Sequence, residues 1–338
     1  MLDKKIAIIG AGGWGTALTV VLSQKMLTLN KNNILLWCYE KETADEIDMN
    51  RTNSDFLPEI EIPNNVIPVS DLTEIYNADV VVNTVPTQFI NATYSQINFS
   101  LENKIIVNCS KGIEKKSLKR IFEIFNETNG VKAENYTVLS GPSHAKEVAN
   151  NTPTALLAAS TNIELAKEVR ELFTTKTFRV YSSNDVVGCE LGGALKNIIS
   201  IAAGVVDGLK LGDNTKAALI TRGLAEISRL GIAMGANPHT FGGLSGLGDL
   251  IVTCNSSHSR NRKVGELIAQ GLTIEKIKVQ NKMIAEGIDT AESANQLAKK
   301  MGIEMPITEQ IYNIIYNAAN PLECVNNLML RESKNEIW

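Results

Sequence analysis

The run Gly188-Cys189-Glu190-Leu191-Gly192-Gly193-Ala194-Leu195-Lys196-Asn197-Ile198-Ile199 sets a lysine and an asparagine inside an otherwise apolar, glycine-punctuated stretch. An ammonium group is costly to bury unless it is paired or put to use. Burial lowers a lysine's pKa, and an amine tuned to about 7–8 can take a proton from a hydroxyl or return one to a carbonyl oxygen. Gly192 and Gly193 one helical turn before Lys196, and Ser200 one turn after it, are expected to leave room for a ligand against the backbone. The alternative is a lysine that packs its stem and carries its charge to the surface.

Ser259-Arg260-Asn261 offers a hydroxyl, a guanidinium fork and an amide at an expected helix start, a compact anion clamp. Arg262 and Lys263 fit a solvated basic patch. Upstream, residues 242–249 (Gly-Gly-Leu-Ser-Gly-Leu-Gly-Asp) are too rich in glycine for a packed helix interior and read as a close-fitting loop that presents Asp249 to a cleft. Gly10, Gly12 and Gly15 in Gly10-Ala11-Gly12-Gly13-Trp14-Gly15 match G-x-G-x-x-G after an apolar strand and at the start of a helix, the context of a dinucleotide cradle. Glu40, at the end of the second strand, is in range of an adenosine ribose and favours NAD over NADP, though it also fits a solvated helix cap. A nicotinamide would lie over Val85-Pro86 and Ser110-Lys111-Gly112. His144 titrates near neutrality and is an alternative acid, but its place at a helix start beside the cofactor loop favours a structural role. Cradle, buried amine and clamp together describe oxidation and reduction of a small phosphorylated substrate.

These groups need two kinds of scaffold. Short apolar runs at residues 5–9, 34–37, 66–69, 79–84, 104–108, 137–139, 154–158 and 178–181 alternate with helical stretches in the first half, the mark of a parallel sheet wrapped by helices. Past residue 183 the pattern turns helical throughout: 190–204, 216–230, 261–270, 274–279, 290–301 and 306–317. The expected architecture is α/β, a Rossmann-type doubly wound domain at 1–187 followed by an all-helical domain at 188–338. A net charge of −4 over 338 residues excludes a general nucleic-acid surface. Five scattered cysteines without CxxC spacing predict no metal site and a reduced, cytoplasmic setting. No apolar run is expected to be long enough to cross a bilayer, and the apolar helices of the second half favour a homodimer.

The chain resembles bacterial-type NAD(P)-dependent glycerol-3-phosphate dehydrogenase nearly end to end. The resemblance is carried by residues 10–17 (Gly-Ala-Gly-Gly-Trp-Gly-Thr-Ala), 110–114 (Ser-Lys-Gly-Ile-Glu) and 140–145 (Ser-Gly-Pro-Ser-His-Ala). It continues through 191–197 (Leu-Gly-Gly-Ala-Leu-Lys-Asn), 246–250 (Gly-Leu-Gly-Asp-Leu), 259–261 (Ser-Arg-Asn) and 285–287 (Ala-Glu-Gly). It implies a 6-phosphogluconate dehydrogenase-like fold, NAD or NADP as cofactor, and reversible reduction of dihydroxyacetone phosphate to sn-glycerol 3-phosphate for phospholipid synthesis. By the same resemblance Lys196 is the proton donor or acceptor, and Lys111, Gly141, Ser143, Asp249, Ser259, Arg260 and Asn261 line the substrate. Gly13, Trp14, Tyr39, Lys111, Ala145, Arg260, Ile284 and Glu286 would touch the cofactor. The chain departs from the family pattern at Gly13, where serine is frequent, and at Tyr39, where a basic residue is frequent. Two rivals share the cradle: a sugar-nucleotide or hydroxyacid dehydrogenase, the former needing Cys254 as nucleophile, and a catalytically silent dinucleotide sensor.

Overall fold

Runs of isoleucine and valine buried on both faces build the central sheet of the computed structural model, which describes every residue except 31–32, 281–284, 334 and 337–338. The strands are β1 (Ile6–Ile9), β2 (Ile34–Trp37), β3 (Val66–Val69), β4 (Val80–Asn83), β5 (Ile105–Asn108), β6 (Tyr136–Ser140), β7 (Thr154–Ala159) and β8 (Phe178–Ser183). Their order is β3-β2-β1-β4-β5-β6-β7-β8, parallel throughout except for the β6–β7 pair. The direction of winding reverses between β1 and β4, whose carboxyl ends open the crevice where ligands of such sheets bind. Alternation along β1 sends Ile6 and Ile8 into one core and Ala7 and Ile9 into the other.

Helices α1 (Gly13–Thr28), α2 (Lys41–Asn50), α3 (Ile90–Tyr94), α4 (Ile121–Asn129), α5 (Ala145–Ala149) and α6 (Ile163–Phe173) accompany the sheet. The second half holds α7 (Val186–Gly208), α8 (Asp213–Ala233), α9 (Pro238–Phe241), α10 (Asp249–Asn255) and α11 (Arg260–Ala269). It ends with α12 (Ile274–Gln280), α13 (Glu286–Met301), α14 (Pro306–Tyr316) and α15 (Pro321–Met329). Among the described residues no strand follows Ser183, as the periodicity predicts. The two cores adjoin within the first turns of α7: Val186 and Cys189 pack on the sheet side, Leu191 and beyond on the helical side.

Helix α7 corrects one expectation. By length and composition it could cross a membrane, but 94% of its apolar window is buried inside the protein. It is the central rod of the helical half, so its apolar surface is covered by its neighbours. A Cβ on Gly204 would stand 1.9 Å from the Arg262 carbonyl oxygen, and one on Gly265 would stand 2.0 Å from that of Ile201. Only glycines let α7 and α11 approach this closely, and that approach brings the start of α11 alongside Lys196.

Candidate active site

The fingerprint glycines divide their work. Gly10 leaves β1 with φ +110°, a backbone state that favours glycine. A Cβ on Gly15 would stand 1.9 Å from the Gly10 carbonyl oxygen, so that glycine permits helix–strand packing. A Cβ on Gly12 would meet nothing within 4 Å, which leaves open space over the N-terminus of α1. That N-terminus has no side-chain cap and no acidic residue in its first turn, so its free N–H groups suit a pyrophosphate. The residues therefore fit a dinucleotide. Gly13 has its own reason: a Cβ there would stand 2.9 Å from the Phe56 carbonyl oxygen. Asn53 ties that covering segment to the turn by donating to the Ala11 carbonyl at 2.7 Å.

Around this cradle, Trp14 and Ala145 pack against the sheet core. Tyr39 is 74% exposed at the end of β2, edge-on to Trp37 at 6.1 Å. Glu40 is exposed and its side chain makes no capping bond to α2. Glu286 starts α13 and accepts from the Thr87 backbone N–H at 3.0 Å and hydroxyl at 3.2 Å, joining the turn after β4 to the helical half. Burial raises its pKa, with Thr87, Arg260 and Lys111 opposing. Ile284 lies outside the described residues.

Lys196 is buried, 7% exposed, and its Nζ donates to Asp249 Oδ1 and to Thr253 Oγ1, each at 2.6 Å. The other carboxylate oxygen of Asp249 accepts from Lys111 Nζ, also at 2.6 Å, so one buried carboxylate bridges two ammonium groups. Lys111 reaches on to the Gly141 carbonyl at 3.2 Å, which also accepts from the Ser143 hydroxyl at 2.9 Å. Desolvation lowers the Lys196 pKa to about 8, with Asp249 resisting and Lys111 reinforcing the shift. Burial pushes the Asp249 carboxyl up, but Lys111 and Lys196 together outweigh it and hold it below its ordinary range. The result is an ammonium poised near neutrality, as proton transfer requires.

Two local expectations need correction. Residues 242–249 are not a loop: Leu244–Gly248 form a wide, π-helical turn that runs directly into α10. Nor do Gly192 and Gly193 leave room for a ligand. A Cβ on Gly192 would stand 2.5 Å from the Ser245 carbonyl oxygen, and one on Gly193 would stand 3.0 Å from Ser140 Oγ. The protein itself fills that space, and so brings the turn before Asp249 against the helix that carries Lys196.

The Ser259-Arg260-Asn261 run is split by folding. Ser259 is buried, caps α11 by accepting from Arg262 N–H at 3.2 Å, and pairs with the Ser200 hydroxyl at 2.9 Å. Asn261 donates to the Asn197 side-chain oxygen and accepts from Gly287 N–H, both at 3.0 Å. Arg260 is exposed between them, and its guanidinium makes no hydrogen bond among the described residues. Cys254 is buried with its thiol pushed up to about 12, first by burial, so it offers no thiolate near neutrality.

Sequence reasoning missed Thr253 and the Glu190–Arg120 pair. Thr253 lies four residues after Asp249, one helical turn on, and could have been found from that spacing once α10 was recognised. Glu190, buried in the same run as Lys196, accepts from Arg120 Nη1 and the Tyr136 hydroxyl at 2.7 Å and from Phe122 N–H at 2.9 Å. It anchors α7 to the sheet half.

Comparison with known proteins agrees with this geometry. The family profile described as NAD-dependent glycerol-3-phosphate dehydrogenase N-terminus matches residues 5–166, and its C-terminus counterpart matches 185–326. A glycerol-3-phosphate dehydrogenase (NAD(P)+) from Lysinibacillus sphaericus is 46% identical over 337 residues, covering 99% of this chain and 98% of the relative. One of the same name from Citrifermentans bemidjiense is 48% identical over 340 residues, covering 99% of each. A crystal structure of glycerol-3-phosphate dehydrogenase from Coxiella burnetii superposes with a TM-score of 0.91 at 36% identity, covering 98% of this chain and 100% of that one. From the sheet's switch point to the bridged lysine, and over nearly its whole length, this chain belongs to the NAD-dependent glycerol-3-phosphate dehydrogenase family.

Proposed function

We propose that the chain interconverts dihydroxyacetone phosphate and sn-glycerol 3-phosphate with NAD or NADP. The reading rests above all on Lys196, a buried ammonium held by Asp249 and Thr253 with its pKa brought down to about 8. In this reading residues 1–187 bind the dinucleotide and 188–338 supply the catalytic group. The nicotinamide, when bound, supplies or accepts the hydride. Lys196 in its ammonium form donates a hydrogen bond to the C2 oxygen and passes its proton there as negative charge grows. In the oxidative direction the neutral amine takes the hydroxyl proton. Asp249 aims Lys196 and Lys111 from one side, and Arg260 anchors the phosphate from the other.

Glu40, free of any capping bond at the end of β2, supports a preference for NAD through the ribose hydroxyls. The five cysteines, all free and buried, suit a reducing compartment. The same proposal makes the protein a cytoplasmic homodimer that feeds phospholipid synthesis. The test is oxidation of NADH and of NADPH with dihydroxyacetone phosphate, set against other phosphorylated and unphosphorylated ketones. Lys196→Met should abolish turnover while NADH still binds. A wild-type kcat in that variant would remove the lysine from the chemistry.

A further inference from the structure

Asparagine is a poor strand residue, yet β4 and β5 each end on one, Asn83 and Asn108, both fully buried. The two are register partners in the parallel pair, and their side chains meet. Asn83 Nδ2 donates to Asn108 Oδ1 at 2.8 Å and to Ser110 Oγ at 3.2 Å. Its Oδ1 accepts from the Tyr94 hydroxyl at 3.0 Å and from Val85 N–H at 3.3 Å. Asn108 Oδ1 also accepts from Ser110 N–H at 3.2 Å, and its Nδ2 donates to the Ser110 carbonyl at 3.1 Å. Ser110 Oγ closes the network by donating to the Val85 carbonyl at 2.6 Å. Every polar side-chain atom of both asparagines is paired. A buried polar network in that state rigidifies whatever it holds.

What it holds is a stretch with no regular structure of its own. Residues 109–114 follow β5 as irregular chain, yet Cys109, Gly112 and Ile113 are buried. Such a segment must find partners for its backbone outside any ladder. Ser110 finds them in Asn108. Farther along, the Gln88 side chain donates to the Ile113 carbonyl at 2.9 Å and accepts from Lys115 N–H at 3.0 Å. The Ser293 hydroxyl donates to the same carbonyl at 2.9 Å. Lys111 lies between these two sets of bonds, with its Nζ 2.6 Å from Asp249. A lysine stem carries much rotamer freedom, so holding its ammonium on one oxygen calls for a fixed root.

Resting on the function proposed above, we infer that Asn83, Asn108 and Ser110 are positioning residues that root Lys111, so that Asp249 is shared between Lys111 and Lys196. They act through the lysine beside them. The ionisable groups that bear on Lys196 are Asp249 and Lys111; the Cys254 thiol and the His144 imidazole are neutral near pH 8. Lys111 occupies one oxygen of the carboxylate and adds a like charge, and both weaken the hold of Lys196 on its proton. Releasing Lys111 therefore moves the alkaline limb of ketone reduction upward, the direction opposite to loss of the carboxylate itself.

The test is the pH profile of kcat for dihydroxyacetone phosphate reduction in Asn108→Leu, in Lys111→Met and in the double variant. Asn108→Leu should raise the alkaline limb by about half a pH unit, and Lys111→Met by at least as much. The double variant should match Lys111→Met, because the asparagine acts only through that lysine. A limb that stays or falls in Asn108→Leu, or a further shift in the double variant, overturns the assignment. Ser110→Ala leaves the asparagines bonded to each other and serves if Asn108→Leu does not fold. Its limb should rise by about 0.3 pH units, and an unmoved limb overturns the assignment too. A second readout needs no turnover: acetylation by an N-hydroxysuccinimide ester, followed by mass spectrometry. Lys111 should label at least about threefold faster in Asn108→Leu and Ser110→Ala than in the wild type, with Lys196 no faster. Unchanged labelling of Lys111, or faster labelling of both lysines, counts against a specific root. A wild type that reduces no dihydroxyacetone phosphate defeats the function proposed above and leaves the labelling test standing. An active wild type whose variants keep its limb and its labelling defeats only this inference.

Discussion

Asp249→Asn removes the one charge that two ammonium groups share. Lys196 and Lys111 each stand 2.6 Å from a different oxygen of that carboxylate, in a site where Asp249 is 1% exposed. Unit charges about 4 Å apart interact by about 4 kcal/mol at the effective dielectric of a protein site. If about two-thirds of that survives relaxation, the loss is about 2.7 kcal/mol, or about two pKa units. The repulsion between Lys111 and Lys196 acts in the same direction once the carboxylate is gone. The Lys196 pKa, about 8 in the wild type, then falls to about 6. Ketone reduction needs the ammonium, so its kcat falls as pH rises through that value. At pH 7.5 the ammonium share drops from about three-quarters to about 3%, a loss of about 25-fold in kcat. The assay is the pH profile of kcat for dihydroxyacetone phosphate reduction under saturating NADH. The variant should regain most of its activity near pH 5.5, while the wild type holds its rate up to about pH 8. A loss equal at every pH, or an alkaline limb that does not move, would refute the electrostatic role of Asp249.

Two glycines a few residues apart should fail in opposite ways. Gly12→Ala should fold like the wild type but weaken NADH binding at least about tenfold, because its methyl enters the open space over α1; normal binding by fluorescence titration would place the pyrophosphate elsewhere. Gly15→Ala should cost about 1–3 kcal/mol of stability, since its methyl meets the Gly10 carbonyl at 1.9 Å. Glu226 carries a separate, structural prediction. It is buried under the start of α14, accepting from Ile307 N–H at 2.6 Å and Thr308 N–H at 3.1 Å, yet desolvation pushes it up to about 7 against those bonds. Its folded pKa lies above its unfolded one, so the stability it contributes is full below the unfolded value and is lost as pH rises through about 7. The span corresponds to about 3 kcal/mol. Glu226→Gln should flatten the fall of Tm between pH 5 and 8; an unchanged slope would assign that fall to other groups.

The strands of the sheet, the glycine turn after β1 and the rod of α7 were all readable along the chain. Each follows from a period of apolar residues or from backbone sterics within a few positions. Short elements without a strong period were not: α4, α10 and α15 went unrecognised, and the glycines of 242–248 read as a loop because no local rule announces a π-helical turn. Site residues show the same divide. Lys196 stood out as a charge among apolar neighbours, and Arg260 as a fork beside a cap. That Ser259 and Asn261 would turn inward depended on Ser200, Asn197 and Gly287, none of them near in sequence.

Residue types along the chain told which groups could react and which backbone would hold a dinucleotide, because propensity and steric fit act over one or two turns. The ionisation of Lys196 had to wait for folding. It is set by a carboxylate 53 positions away, itself shared with a lysine 138 positions from it, and by the loss of water around all three. Coulomb forces and desolvation follow distance in space, and no spacing along a chain encodes that.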